Sequence, residues 1–405
     1  MKNSFKPCDI LLPKHVDMKK WSVVACDQYT SQPEYWERVR SFIGQAPSTL
    51  HLMLPEVNLE NAQPEMIYNT MKQYMADGMF RTLPNTLIYL KRTLNDGSLR
   101  QGLIGALDLE CYDYHKGAAS LCRATEGTVE ERLPPRIRIR EKAPIEMPHI
   151  MVLIDDPQYT VIEALESRQE KFSKIYDFEL MEQGGKVQGF AIDEKQAAPI
   201  LDALYALAEG QKDPLLFAMG DGNHSLATAK VCYENLKKEL GEEAKNHPAR
   251  YCLVELTNLH SPALQFEPIH RIVINTDTEK LMAYLKERGL REGGAFEQKI
   301  QVVQKGIATE WSFEEESSKL AVGSLQNLLD QYLADNAGTV DYIHGEEITK
   351  ELSMEEDSIG FILPDVAKES LFPTVIKDGA LPRKTFSMGH AHDKRFYLEC
   401  RRIEK

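Results

Sequence analysis

With 405 residues, 42% of them hydrophobic and 27% charged, the chain can bury a large core without disulfide or metal staples. Its formal net charge of −14 is spread along the chain, which argues against broad contact with nucleic acid or anionic lipid but leaves room for a small basic pocket. Seven cysteines without a CxxC pair read as reduced thiols, no run approaches about 18 apolar residues, and Met1 to Asp9 offers no apolar signal segment, so the expectation is a cytoplasmic protein, neither exported nor membrane-spanning.

In chain order, Ser31 to Phe42 reads as a helix opened by Ser31 and Pro33, and Pro64 to Ala76 as another closed by Asp77-Gly78. Thr86 to Thr93 and Gln101 to Leu109 are strand-like, with Asn95-Asp96-Gly97 as the turn of a hairpin. Residues 123 to 140 then form a basic cluster in an acidic chain. Arg136, Arg138 and Arg140 alternate with Ile137 and Ile139, so an extended segment would set the three arginines on one face, either solvated or turned to a ligand.

Met147 to Asp155 reads as a buried strand and Gln196 to Ala208 as a helix. Pro214 to Met219 is a short apolar strand running into Gly220-Asp221-Gly222. Ser225 to Leu240 follows with helical periodicity, placing Leu226, Ala229, Cys232, Tyr233 and Leu236 on one side. Tyr251 to Thr257 and Ile269 to Ile274 are further strands, and beyond about residue 275 helices and strands alternate. Short strands interleaved irregularly with helices indicate an α+β fold with mixed sheets, in approximate regions 1–110, 111–275 and 276–405, or one intertwined unit.

The strand, glycine turn and helix around Gly220 to Ser225 carry the strongest chemical signal. A helix N-terminus offers free N–H groups and a positive dipole end, which attract phosphate. Gly220 and Gly222 allow a sharp turn and close backbone approach. Asp221 can hold a divalent cation, Mg²⁺, carried by phosphates, and His224 can donate to phosphate or move a proton. The plainer alternative is an ordinary turn with Asn223 or Ser225 as N-cap. His260 reads as a structural histidine, and Gly389-His390-Ala391-His392-Asp393 as a hairpin turn between Lys384–Met388 and Arg395–Arg401 in preference to a metal site. The common phosphate-loop, dinucleotide, kinase and nucleophile-elbow signatures do not occur.

The chain resembles the bacterial "domain of unknown function 1015" family, whose hallmark is a strand followed by Asp-Gly-His-His-Arg and a helix; here the segment is Asp221-Gly222-Asn223-His224-Ser225. Ala25 to Tyr29 stands where the family has a Pro-Tyr-Asp loop. Arg123 to Thr128 is similar to its Arg-x-x-Glu-x-Thr, Pro268 to Arg271 to its Pro-x-His-Arg, and Leu381-Pro382-Arg383-Lys384-Thr385 to its Leu-Pro-x-Lys-Ser/Thr. The resemblance implies a relation to the ParB/sulfiredoxin-like superfamily, which includes free-serine kinases. It thereby implies a small-molecule phosphotransferase of the free L-serine kinase type, with a nucleotide or pyrophosphate donor and Mg²⁺. Glu126 would then act as base and His224 contact phosphate or acceptor. Gly220, Asp221, Gly222, Asn223, Ser225, Arg123, Arg136 and Thr128 would bind the ligand, with His270, Arg271 and Lys384 behind them.

Asn223 and Ser225 depart from the family pattern, and loss of the arginine removes a bidentate phosphate donor. Arg123 or Arg136 compensates, the substrate differs, or catalysis is lost. The last possibility defines the alternative, a nucleotide- or phosphate-binding regulatory or scaffold protein. Oligomeric state is not legible.

Overall fold

The computed structural model describes residues 3–404 apart from 31, 62, 129 and 383. Ser31, expected to open a helix, and Arg383 of the C-terminal motif therefore lie outside the described residues. The chain forms two compact units. The first comprises Met1–Ala124, Thr128–Leu264 and His390–Lys405, and the second Thr125–Gly127 and Gln265–Gly389. The chain passes between the units after residues 124, 127, 264 and 389. Among the described residues, no helix is long and apolar enough to cross a membrane.

Eleven described strands build the sheet of the first unit. They are β1 (Phe5–Lys6), β2 (Cys8–Pro13), β3 (Phe80–Thr93), β4 (Leu99–Asp108), β5 (Tyr112–Asp113), β6 (Cys122–Arg123), β7 (Met151–Ile154), β8 (Ser173–Glu179), β9 (Lys186–Ile192), β10 (Phe217–Asp221) and β11 (Tyr251–Asn258). Their order is β8-β9-β3-β4-β11-β7-β10-β6-β5, with β1 beside β4 and β2 beside β3. The sheet is mixed: β10 runs parallel to β6 and antiparallel to β7. The β3–β4 hairpin forms around Gly97, whose φ of 85° suits the tight turn, and the Leu94 N–H donates to the Ser98 carbonyl at 2.8 Å.

Alternation along β3 separates two cores. Ile88 and Leu90 join Trp21, Trp36 and Ile145 on one face, while Leu87 and Tyr89 join Phe217, Leu226 and Tyr233 on the other. The central strands β4 and β11 are buried almost throughout, so they read as continuous apolar runs, whereas the edge strand β8 is largely exposed.

The helices that matter for the site are α1 (Pro33–Ile43), α2 (Pro64–Ala76), α3 (Leu133–Arg140), α4 (Glu194–Ala206) and α5 (Asn223–Leu240). Helix α2 has the bounds read from sequence, with Asp77 at its C-cap and Gly78 beyond it at φ 65°. Helix α3 corrects the extended reading of Arg136, Arg138 and Arg140. Pro134 and Pro135 sit in its first turn, where a missing N–H costs nothing, so the proline pair starts a helix. The arginine alternation is then split: Arg136 and Arg140, four apart, each find a carboxylate, whereas Arg138 is exposed.

The second unit carries a sheet of β12 (Phe266–Ile274), β13 (Leu290–Glu292), β14 (Lys299–Gln304), β15 (Ile307–Phe313), β16 (Thr339–His344), β17 (Ile359–Ile362) and β18 (Phe386–Met388). Its order is β13-β15-β14-β17-β12-β16, with β18 beside β12. Helices α6 (Thr278–Glu287) and α7 (Ala321–Asp335) cover it through Leu281, Leu285, Leu325 and Leu329. The expected hairpin around His390 and His392 does not form. β18 pairs with β12 in the second unit, while Phe396–Tyr397 pairs with Val23–Val24 in the first, so residues 389 to 393 carry the chain from one unit to the other.

Candidate phosphate-handling site

Strand β10 ends at Asp221, and Gly222 turns the chain directly into α5 with φ 83°, a left-handed conformation that favours glycine. The helix begins at Asn223, two residues before the sequence indicated. Neither Asn223 nor Ser225 is therefore the N-cap; Gly222 is, and as a glycine it brings no capping side chain of its own. The helix runs for 18 residues, so the positive end of its dipole lies at this turn. A Cβ on Gly222 would stand 3.1 Å from Ile150 Cα and 3.6 Å from His149 Cδ2, so the turn is also packed closely.

Around this turn the first unit gathers residues far apart in sequence. His224 is pushed below the ordinary histidine value by burial first, then by the Arg136 and Arg132 charges, against the opposing pull of Asp27 and Glu56. Its Nε2 is buried without a hydrogen bond. His149, 3% exposed, is hydrogen-bonded through Nδ1 to the Tyr397 hydroxyl at 3.0 Å, and its Nε2, also without a hydrogen bond, lies 3.8 Å from Asp27 Oδ1. Burial pushes the Asp27 carboxyl up, but His149, the Gln28 amide and Lys394 outweigh it and hold the group below the usual carboxylate value. Arg136 pairs with Glu56 at 3.2 Å and donates to the Arg132 carbonyl at 2.9 Å.

Asp221 accepts from the Gly222 N–H at 2.8 Å through Oδ1, while its Oδ2 is buried without a hydrogen bond and 3.7 Å from Lys394 Nζ. Lys394 is held there by buried arginines. The Arg92 guanidinium donates to the carbonyls of Lys394 at 2.7 Å and Asp393 at 3.1 Å, and Arg100 donates to the Asp393 carbonyl at 2.6 Å.

Beside the turn lies a cavity of about 150 Å³ within the first unit. Arg136, Arg140, Glu56, Glu146, His149 and Ser225 are among its polar lining, and Leu52, Met71, Ala143, Ile145 and Ile403 are among the apolar groups completing it.

Other residues singled out from sequence lie elsewhere. Gly220 is packed against Leu153, 3.1 Å from its would-be Cβ, so it serves the β10–β7 pairing. Arg123 is buried; its Nε donates to the Ser120 carbonyl at 2.8 Å and Asp213 is the charge it feels, both ahead of the strands β6 and β10 that lead towards the turn. The Thr128 hydroxyl is buried without a hydrogen bond. Glu126 belongs to the second unit, bridging to Leu381 and accepting from the Lys384 N–H at 3.5 Å. There too, Arg271 donates to the Lys384 carbonyl at 2.7 Å and to Gln326 at 3.2 Å, and His270 Nδ1 accepts from the Leu363 N–H at 3.2 Å. His260 is paired with Asp155 at 2.7 Å, a structural role. Among the described residues no group of three or more His, Cys, Asp or Glu could hold a metal ion by itself.

The model of the family described as "Protein of unknown function (DUF1015)" matches residues 6–378. The chain belongs to the DUF1015 family. Among solved structures it is similar to a free serine kinase variant in complex with AMP, at 12% identity and TM-score 0.41, over 74% of this chain and 90% of that one. It is also similar to a conserved hypothetical protein from Pyrococcus furiosus, at 11% identity and TM-score 0.37 over 74% and 94% of the two chains. A third is C-terminally truncated SbnI from Staphylococcus aureus, at 10% and 0.37 over 73% and 82%. No curated protein matches. Likenesses this remote say nothing of the chemistry of this DUF1015 chain.

Sequence reasoning missed Glu56, His149, Tyr397 and Lys394, which join the site only through the fold. Asp27 had a signal, because it lies in the Ala25–Tyr29 segment that resembles a family loop.

Proposed function

We propose that this protein is a small-molecule phosphotransferase whose phosphate groups bind at the N-terminus of α5. The observation that carries the reading is the helix start at Gly222, flanked by two buried ring nitrogens, His224 Nε2 and His149 Nε2, that make no hydrogen bond, and by the Arg132 and Arg136 charges. Helix N–H groups, imidazole and guanidinium together suit a multiply charged oxyanion. Phosphoryl transfer demands mostly positioning and charge neutralisation, which such a set supplies.

In the reaction, an acceptor hydroxyl oxygen forms a bond to the terminal phosphorus of a nucleotide or pyrophosphate. The bond to the bridging oxygen breaks, its electron pair leaves with the nucleoside phosphate or phosphate, and the hydroxyl proton passes to a carboxylate. Asp27 is the carboxylate beside this turn that could accept that proton, the role the motifs give to Glu126; a loose transition state asks little basicity of it. Asp221 Oδ2, buried and without a hydrogen bond, is the oxygen that suits Mg²⁺ carried by the donor, since such an ion needs only one or two carboxylates besides phosphate. The ion would neutralise developing charge on the transferred group. Roles for Arg123, Thr128, His270, Arg271 and Lys384, and the ParB/sulfiredoxin-like relation, belong to the same proposal. L-Serine is the acceptor the motifs imply. Incubation with L-serine, Mg²⁺ and ATP, ADP or pyrophosphate is expected to form phosphoserine, and no product with any donor removes serine as acceptor.

A second reading, a phosphate-binding regulatory module without turnover, is favoured by Ser225 standing where the family has arginine and by Lys394 already facing Asp221. Thermal stabilisation by ATP, ADP or pyrophosphate with no acceptor phosphorylated would select it.

A further inference from the structure

The cavity beside α5 is lined by a polar set, part of it at the helix turn, and by a larger apolar set. Its polar lining includes Arg136, Glu56, His149 and Ser225, which also surround the first turn of the helix. Its body is aliphatic: Leu52, Met53, Met71, Ala143, Ile145 and Ile403. All six of these side chains are buried at 8% exposure or less.

The charges in its wall are already answered. Arg136 faces Glu56 at 3.2 Å. Glu146 is held by Arg140, by Arg401 at 2.7 Å and by the Leu253 N–H at 2.9 Å. Burial pushes the Glu146 carboxyl up, yet the two arginines bring it below the usual carboxylate value, so it stays ionised and matched. An ammonium or carboxylate entering the body of this cavity would find no free countercharge and would lose its hydration without replacement. An apolar group loses nothing and leaves water. The volume, about 150 Å³, is that of an aliphatic cavity able to take a benzene ring.

We propose that the ligand handled at α5 is a phosphate ester, or the neutral alcohol from which it forms, whose organic part is a compact apolar group of benzene size. That group fills the cavity while the phosphate meets the helix N-terminus, His224 and His149. The proposal rests on the phosphate reading above and widens its acceptors from L-serine to uncharged apolar alcohols, which the cavity favours. Ser225, in the first turn of α5, lines the same cavity.

The test is calorimetric titration of the full chain with inorganic phosphate, pyrophosphate, phenyl phosphate and O-phospho-L-serine. Phenyl phosphate is expected to bind about tenfold or more tighter than O-phosphoserine, from the apolar area it buries. Replacing Ala143 by Phe, which fills the body, is expected to bring phenyl phosphate down to the affinity of inorganic phosphate. If O-phosphoserine binds as tightly as phenyl phosphate, the cavity assignment is overturned. If pyrophosphate binds but phenyl phosphate does not, the cavity assignment falls and the phosphate site stands. If none of the four binds, both fall together. Should Ala143→Phe fail to fold, the ratio measured on the wild-type chain decides alone.

Discussion

Replacing Gly222 by Ala separates the demands of backbone and packing at the turn. Gly222 sits at φ 83°, where an L-residue costs roughly 1–2 kcal/mol. The new Cβ would also stand 3.1 Å from Ile150 Cα and 3.2 Å from Ile150 Cγ1, and the backbone of this buried residue, directly ahead of β7, yields poorly. Together these put the loss at roughly 2–3 kcal/mol. Gly97→Ala is the control, because Gly97 has φ 85° and nothing within 4 Å of its would-be Cβ, so only the backbone cost applies. Urea unfolding of both variants measures the difference, and titration with pyrophosphate measures the function. Gly222→Ala is expected to be the less stable of the two and to lose pyrophosphate affinity, while Gly97→Ala keeps it. Equal stabilities would remove the packing claim at Ile150. Undiminished pyrophosphate binding by Gly222→Ala would move the phosphate site away from α5.

Four further outcomes follow from the same geometry. The His224 imidazole has a lowered folded-state value, so the unfolded chain binds more protons below about pH 6.5 and stability falls as pH drops through that range; His224→Asn should flatten this slope in urea midpoints taken between pH 7.5 and 5.5. Arg92→Met strands the carbonyls of Gly184, His392 and Lys394, and should cost about 3 kcal/mol or more in chemical unfolding while weakening Mg²⁺–pyrophosphate binding through Lys394. Asp221→Asn should weaken Mg²⁺-dependent binding of pyrophosphate more than Mg²⁺-independent binding, by about tenfold against twofold in titration. Burial pushes the Cys26 thiol up to about 12, so mass spectrometry should find it unalkylated by iodoacetamide at pH 8 in the folded protein and alkylated in urea.

Much of the local structure was legible because it rests on residues with a fixed mechanical meaning. Pro64 and Asp77-Gly78 bound α2, Asn95-Asp96-Gly97 makes the hairpin, and the glycines around Asp221 end β10 and start α5. Where the sequence misled, two periodicities competed. Arg136-Ile137-Arg138-Ile139-Arg140 alternates like a strand, yet Pro134-Pro135 and the i, i+4 pairing of Arg136 and Arg140 with carboxylates settle it as a helix. The His390–Asp393 turn looked like a hairpin because its flanks are both strand-forming, but they pair in different units. The two-unit division itself leaves no mark in composition, since the chain crosses between units without a Gly- or Pro-rich linker. At the candidate site, the turn from β10 into α5 was readable as a contiguous motif. Glu56, His149, Tyr397 and Lys394 were not, because only the fold brings residues spread from 56 to 397 around one helix end.

The central claim, a phosphate site built by the first unit, is tested most directly by titrating Mg²⁺–pyrophosphate into the wild-type chain and into His224→Ala and Arg136→Ala variants whose circular dichroism and unfolding midpoints match the parent. The account predicts saturable binding by the wild type, weakened about tenfold or more by each substitution, as expected for loss of a charge-assisted contact. Wild-type binding left unchanged by both substitutions, or no binding at any Mg²⁺ concentration, would contradict it.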